Sequence, residues 1–310
     1  MISQWRCIQQ NMGAWHGSFT QFSPEGEQVK DTPSVLTLEE VELGEKMQLT
    51  LERSPESGSK EITRREFFAP GPAPYVYFFE SGAFSQGSSQ WAAFGQFGAE
   101  VSIKVGDRRV RFVIMYDSGS DGTSSIKYVT LIRETQAGGT QFTEPDMTPA
   151  KLLGQYTGTV SALHATMQPM SVGTSLWTFA WTPEQAGLTA KETVARETVA
   201  EEMTDEENDE TNLQTLLLNS NHSEQGLHSK RPISLTAPDA EGLAYQLMPL
   251  PNGAYCLLPA TLRQNIAFRI EAGWLRTDGN RSRLIRYYDS RGVWTHSALV
   301  EDRSFTDCGN

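Results

Sequence analysis

Gly13-Ala14-Trp15-His16-Gly17-Ser18-Phe19 opens the first long alternating run of this 310-residue chain, and Gly154-Gln155-Tyr156-Thr157-Gly158-Thr159-Val160 opens another of the same form. Both read Gly-x-aromatic-x-Gly-Ser/Thr followed by an apolar residue. Side chains alternate across an extended chain, so Trp15, Gly17, Phe19 and Gln21 share one face and His16, Ser18 and Thr20 the other.

Outward from the first copy, the chain keeps the same rhythm. Val35–Leu38 and the strictly alternating Met47–Arg53 are followed by Tyr75-Val76-Tyr77-Phe78-Phe79, Ala99–Val105, Arg109–Tyr116 and Val129–Arg133. Turn chemistry separates them, at Ser23-Pro24-Glu25-Gly26, Pro70-Gly71-Pro72-Ala73-Pro74 and Gly106-Asp107. Short strands at such spacing indicate a sandwich or barrel.

The second half repeats this order. Arg109-Val110-Arg111 with Tyr116-Asp117-Ser118 aligns with Arg281-Ser282-Arg283 and Tyr288-Asp289-Ser290, and Val129–Glu134 aligns with Ser297–Asp302. Gly13 and Gly154 lie 141 residues apart, whereas Arg109 and Arg281 lie 172 apart, so the second copy holds a net insertion of 31 residues. We expect two domains, about 1–145 and 150–310, with a disordered acidic insertion at about 185–230. Residues 192–210 carry nine acids against Arg196, which accounts for −8 of the net charge of −12. Such a run cannot bury enough apolar surface to offset its ordering entropy.

Composition removes several function classes. An acidic chain without a basic stripe is not built for nucleic acid. Cys7, Cys256 and Cys308 lack metal-ligand or paired spacing, so neither a zinc site nor a disulfide framework is expected. No apolar run reaches spanning length, and a cytoplasmic protein without a transmembrane segment is the expectation. His16, His164, His222, His228 and His296 form no i,i+4 pair, which leaves them as structural residues and no metal site. Ser85 in Gly82-Ala83-Phe84-Ser85-Gln86-Gly87 lacks the spacing of a nucleophile elbow. No catalytic residue is assigned.

Gly13-Ala14-Trp15 resembles the Gly-x-Trp that opens the first strand of lipocalins and related calycin barrels. The resemblance implies that Trp15 plugs the closed end of a barrel and that Arg133, on the last strand, packs its guanidinium across the ring. Tyr156 takes the plug position in the second half. Over the whole chain, Trp15-His16-Gly17, Phe84-Ser85-Gln86-Gly87-Ser88 and the Arg109/Arg111 strand with Tyr116-Asp117 resemble an uncharacterised family of cyanobacterial and plastid proteins. Its members carry two lipocalin-like barrels. More distantly the chain resembles the phycobilin lyases, which hold an open-chain tetrapyrrole and pass it to a phycobiliprotein cysteine. No stretch matches a lyase motif, so no lyase residue is carried over.

The expected fold is therefore all-β, two tandem lipocalin-like antiparallel β-barrels. The leading functional expectation is a binding module for a small hydrophobic, carboxylate-bearing ligand, a bilin or other tetrapyrrole or a lipid. Arg109 and Arg111 would be its anion partners, with Tyr75, Tyr77, Phe79 and Phe97 lining or flanking it. That reading needs the Arg109/Arg111 face to point inward. Alternation alone favours the opposite, with Val110, Phe112, Ile114 and Tyr116 filling the barrel and the arginines in water. The alternatives are a non-enzymatic assembly protein, whose partner is a phycobiliprotein or photosynthetic assembly, and a bilin lyase.

Overall fold

The computed structural model describes residues 3–304 except 57, 72–75, 167, 183–186, 197–215, 222–223 and 237–242. The chain forms two compact units, Met1–Thr143 and Glu144–Asn310, both built almost wholly of antiparallel strands. The tandem β-barrel plan implied by the duplicated alternation is the one the structure adopts.

In the first unit a short helix α1 (Gln4–Gln9) precedes β1 (Gly13–Phe22), β2 (Gln28–Glu42), β3 (Lys46–Arg53), β4 (Glu61–Phe68) and β5 (Val76–Phe78). Then come β6 (Phe84–Gly87), β7 (Phe97–Val105), β8 (Arg108–Ser118) and β9 (Ser124–Gln136). They form one sheet in the order β4-β3-β2-β1-β9-β8-β7-β6-β5, so β4 and β5 are its edges and the unit is a half-barrel. Helix α1 closes an apolar cluster in which Trp5, Cys7 and Ile8 pack with Leu38, Met47, Phe78 and Phe84. The Gln4 side-chain amide also acts as a ladder partner for β5: Nε2 donates to the Phe78 carbonyl and Oε1 accepts from the Phe78 N–H, both at 2.8 Å.

The second unit contains β10 (Gly154–His164), β11 (Pro169–Thr182), β12 (Gly187–Arg196), β13 (Leu216–Asn221), β14 (Ile233–Thr236), β15 (Ala244–Pro249) and β16 (Ala254–Pro259). After β17 (Thr261–Leu262) come β18 (Phe268–Leu275), β19 (Asn280–Tyr288) and β20 (Trp294–Ser304). All but β17 close into a barrel, with β20 returning to β10.

The insertion expected at 185–230 is narrower than its composition suggested. Gly187–Arg196 and Leu216–Asn221 are barrel strands, and Glu224–Leu227 is a turn of helix. The physical reason lies in Leu188, Ala190 and Glu192, which alternate into the interior and are buried. Glu192 belongs by composition to the acidic run but by position to the core. The run Glu201 to Glu210 lies outside the described residues.

The opening motif earns its two glycines by geometry. Gly13 and Gly154 start their strands at φ +105° and +126°, a region that favours glycine. Gly17 pairs with Glu134 and Gly158 with Asp302. A Cβ on Gly17 would lie 2.0 Å from the Arg133 carbonyl oxygen, and one on Gly158 would lie 2.2 Å from that of Glu301. Each glycine thus lets the last strand approach closely and leaves room for an acid side chain.

Candidate functional site

Strand β8 decides where charge goes. Its apolar face is buried, and so is its charged face: Arg109 and Arg111 are 2% and 7% exposed. The arginines point into the half-barrel, which overturns the reading that alternation favoured. A strand buried on both faces carries no polarity contrast that identifies the inner one.

The inner face is held by an ion network. Arg109 donates from Nε to Glu134 Oε2 (2.8 Å) and from Nη1 to Asn11 Oδ1 (2.9 Å). Arg111 donates to both Glu134 oxygens, from Nε to Oε2 (2.9 Å) and from Nη2 to Oε1 (2.8 Å), and from Nη1 to Glu100 Oε1 (2.8 Å). Burial alone would raise the Glu134 carboxyl, but the Arg109 and Arg111 guanidiniums outweigh it and hold it below the ordinary range. Burial likewise works against Arg111, yet Glu134 and Glu100 push it above its usual value. Arg109 is the exception. Burial wins there, and its guanidinium is lowered despite Glu134.

Trp15 is fully buried, donates from Nε1 to the Asn11 carbonyl at 2.9 Å, and carries the Arg109 guanidinium 4.4 Å from its ring centroid. The cation on the plug is therefore Arg109 of β8. Arg133 pairs in register with Ser18, on the face opposite Trp15, and donates from Nη2 to Thr20 Oγ1 at 3.0 Å. Strand parity is the reason: Trp15 and Gly17 share a face with Gln136 and Glu134, so the neighbouring Arg133 points away.

A cavity of about 570 Å³ lies against this network. Its wall includes Phe19, Leu36, Leu38, Leu49, Leu51, Phe67, Phe78 and Phe84, with Arg109, Arg111 and Glu100 on the polar side and Arg53, Arg65 and Glu66 also lining it. The volume falls within the usual range for small-molecule sites. Among the expected aromatics, Tyr77, Phe79 and Phe97 are buried but do not line it, and Tyr75 lies outside the described residues. Along β5 the even-numbered residues, Val76 and Phe78, face the cavity. Phe97 packs its ring on Tyr116 at 5.7 Å, on the far face of the sheet from Arg109. Phe19 shares the face of Trp15 in the sequence pattern, whereas Phe67 and Phe84 are placed inward by the register.

The second barrel repeats the stacked arginine and its ion network in register, with several residues exchanged. Arg281 lies 4.0 Å over the ring of Tyr156, which donates from its hydroxyl to the Lys151 carbonyl. Arg281 pairs in register with Asp302 as Arg109 does with Glu134, and Glu271 is opposite Ile285 as Glu100 is opposite Val113. Asp302 Oδ2 accepts from Arg281 Nε (3.1 Å) and Nη2 (2.8 Å) and from Arg283 Nε (2.8 Å). One methylene shorter than Glu134, it does not take Arg283 Nη2. That donor goes to Glu192 Oε1 at 2.7 Å, and Glu192 Oε2 and Glu271 Oε2 hold Arg269 at 2.6 and 2.8 Å.

Register also shows how the side chains facing the two interiors differ. Trp15, Leu36 and Leu51 stand side by side in the first unit where Tyr156, Trp177 and Glu192 stand in the second. Gly98 and Arg269 occupy matching places opposite Met115 and Tyr287. Trp177 and Glu192 thus stand where the first unit has Leu36 and Leu51, both of which line its cavity. Each plug arginine keeps one buried N–H without an acceptor, Nη2 on Arg109 and Nη1 on Arg281. An unmet donor costs about 1–3 kcal/mol. Among the described residues no cluster of His, Cys, Asp or Glu is placed to hold a metal ion, and no helix is long and apolar enough to cross a membrane.

The two ends of the chain match different family models. Residues 1–139 match the model of a domain of unknown function, DUF3598, N-terminal. Residues 189–305 match the model of the C-terminal domain of Biogenesis factor required for ATP synthase 1. The chain is similar to the crystal structure of a protein of unknown function from the DUF3598 family of Nostoc punctiforme PCC 73102, with a TM-score of 0.79 and 28% identity over 98% of this chain and 100% of that one. No curated protein matches the chain.

Proposed function

We propose that this chain is a non-enzymatic assembly factor that holds a polypeptide partner during construction of a multisubunit complex of the ATP synthase kind. The observation that carries the reading is the match of residues 189–305, which span β12 to β20, to the C-terminal domain of an ATP synthase biogenesis factor. The closed barrel supports it physically. Its interior charges are spent on one another, so recognition falls to its outer surface. The test is co-elution of the purified full chain with separate ATP synthase subunits, with the assembled enzyme and with a phycobiliprotein. Binding to a free subunit and not to the assembled enzyme is expected. Binding to none of the subunits overturns the reading.

A second reading is favoured by the first unit's cavity, which would hold a small hydrophobic molecule, a lipid or a bilin among them. Arg109 and Arg111 line that cavity, but Glu134 and Glu100 already meet most of their charge. Titration of the full chain with a bilin, followed by absorbance and Trp fluorescence, tests it. A shifted chromophore band with quenching supports the reading, and unchanged spectra remove the tetrapyrrole.

A further inference from the structure

We infer that the first unit takes an extended, acidic segment of a partner polypeptide as a further strand along the outer edge of β4, in the seam toward β5. The inference deepens the reading of the chain as a factor that holds a polypeptide, and rests on it.

Strand direction carries the first step. Eight antiparallel pairings lead from β4 round the sheet to β5, an even number, so the two edges run the same way. They cannot pair antiparallel with each other, whereas one strand between them is antiparallel to both. Among the described residues the outer edges meet only the bridge of Phe68 to Gly71 on β4 and the Gln4 side chain on Phe78 of β5. An unpaired edge presents N–H and C=O groups to any strand that reaches it.

The repeat shows what fits. Glu192, in the place of Leu51, pairs with Leu216 as Leu51 pairs with Thr63, so β13 stands where β4 does. There the same edge is covered: β13 meets β14 at Asn219 and Thr236, and β14 pairs antiparallel with β15. Ile233 and Leu235 of β14 are buried, and Ser234 and Thr236 are exposed. A strand on β4 would likewise send alternate side chains inward beside Thr63, Arg65 and Phe67, which line the cavity. Arg65 and Val76 also line a second cavity of about 550 Å³, so the seam borders both.

Charge selects the segment. On β4, Glu61 pairs with Arg53 and Glu66 with Lys46. Arg64 and Arg65 are exposed and form no ion pair among the described residues. Acidic residues on the incoming strand would answer them.

The experiment titrates the full chain with three synthetic peptides of eight residues, the length of β4, and follows amide hydrogen exchange. One alternates leucine with serine and glutamate, one has the same composition with its leucines grouped, and one alternates with lysine for glutamate. The alternating acidic peptide is expected to bind at least about tenfold tighter than the other two and to slow exchange within 61–67. Arg64→Glu with Arg65→Glu, both exposed, is expected to transfer the preference to the lysine peptide. Equal binding of all three, or slowed exchange only outside 61–67 and 76–78, overturns the inference. So does full protection of every amide from 61 to 67 in the free monomer, which would show the edge already filled. Self-association that protects these amides without peptide makes a second copy the occupant and overturns the partner. Failure of every peptide while a subunit still co-elutes overturns the inference alone, whereas failure of the subunits too overturns the reading beneath it.

Discussion

The Arg109 guanidinium stacks on the Trp15 indole at 4.4 Å, and the same side chain is tied through Nε to Glu134. One cation thereby links the plug to the ion network. Removing the ring takes away a buried aromatic and the face on which the cation rests. Trp15→Ala is expected to destabilise the first unit by about 3–5 kcal/mol. Trp15→Tyr, the pairing found in the second barrel, should cost markedly less. Urea unfolding of the full chain checks the difference, and equal losses would show that stacking contributes nothing.

Glu134 does alone what Asp302 and Glu192 do together. Glu134→Asp is expected to leave Arg111 Nη2 without its partner, at a cost of about 1–3 kcal/mol. Adding Leu51→Glu places a carboxylate where the second barrel has Glu192, and should restore part of that loss. A double-mutant cycle measures the coupling. Additive losses would mean that the two networks are not interchangeable.

Acid should weaken both barrels. The Glu134 and Glu192 carboxyls lie below their ordinary value of 4.5, with burial opposed by Arg109 and Arg111 in one case and by Arg283 and Arg269 in the other. Below 4.5 the unfolded chain binds more protons than the folded one, so stability is full above that pH and falls as pH drops toward the folded values. Denaturant midpoints at pH 7, 5, 4 and 3 should hold between pH 7 and 5 and decline over the last two intervals, most steeply over the last. Glu134→Gln should flatten the decline for the first unit, and an unchanged slope would exclude Glu134 as its source.

Two glycines separate crowding from backbone conformation. Gly17→Ala would push a methyl to 2.0 Å from the Arg133 carbonyl oxygen, and a loss of about 3 kcal/mol or more is expected. Gly44 has φ +73° with open space around it, so Gly44→Ala should cost only about 1 kcal/mol. Thermal unfolding of the two variants tests the order.

Much of the architecture was legible because it rests on period and repetition. The Gly-x-aromatic-x-Gly stretches mark β1 and β10, and the alignment of Arg109 with Arg281 and of Glu134 with Asp302 survives as a true register match. The site was legible in part. Arg109 and Arg111 were identified, but Glu134, Glu100 and Asn11 were not, since acids and amides at long separation give no local signal. Aromatic character points to Tyr77 and Phe97, whereas strand parity places Val76 and Phe78 at the cavity.

The sequence by itself determined that two β-barrel units stand in tandem, because alternation with period two and a duplicated motif order are local properties of the chain. Only the tertiary structure decided which face of β8 is inside, that Arg109 rather than Arg133 rests on Trp15, and that the first unit holds a cavity against its ion network. Those outcomes depend on what other strands bring to the same place. A buried arginine is tolerable only beside Glu134, and Leu36 and Leu51 line the cavity where the second barrel carries a tryptophan and a glutamate.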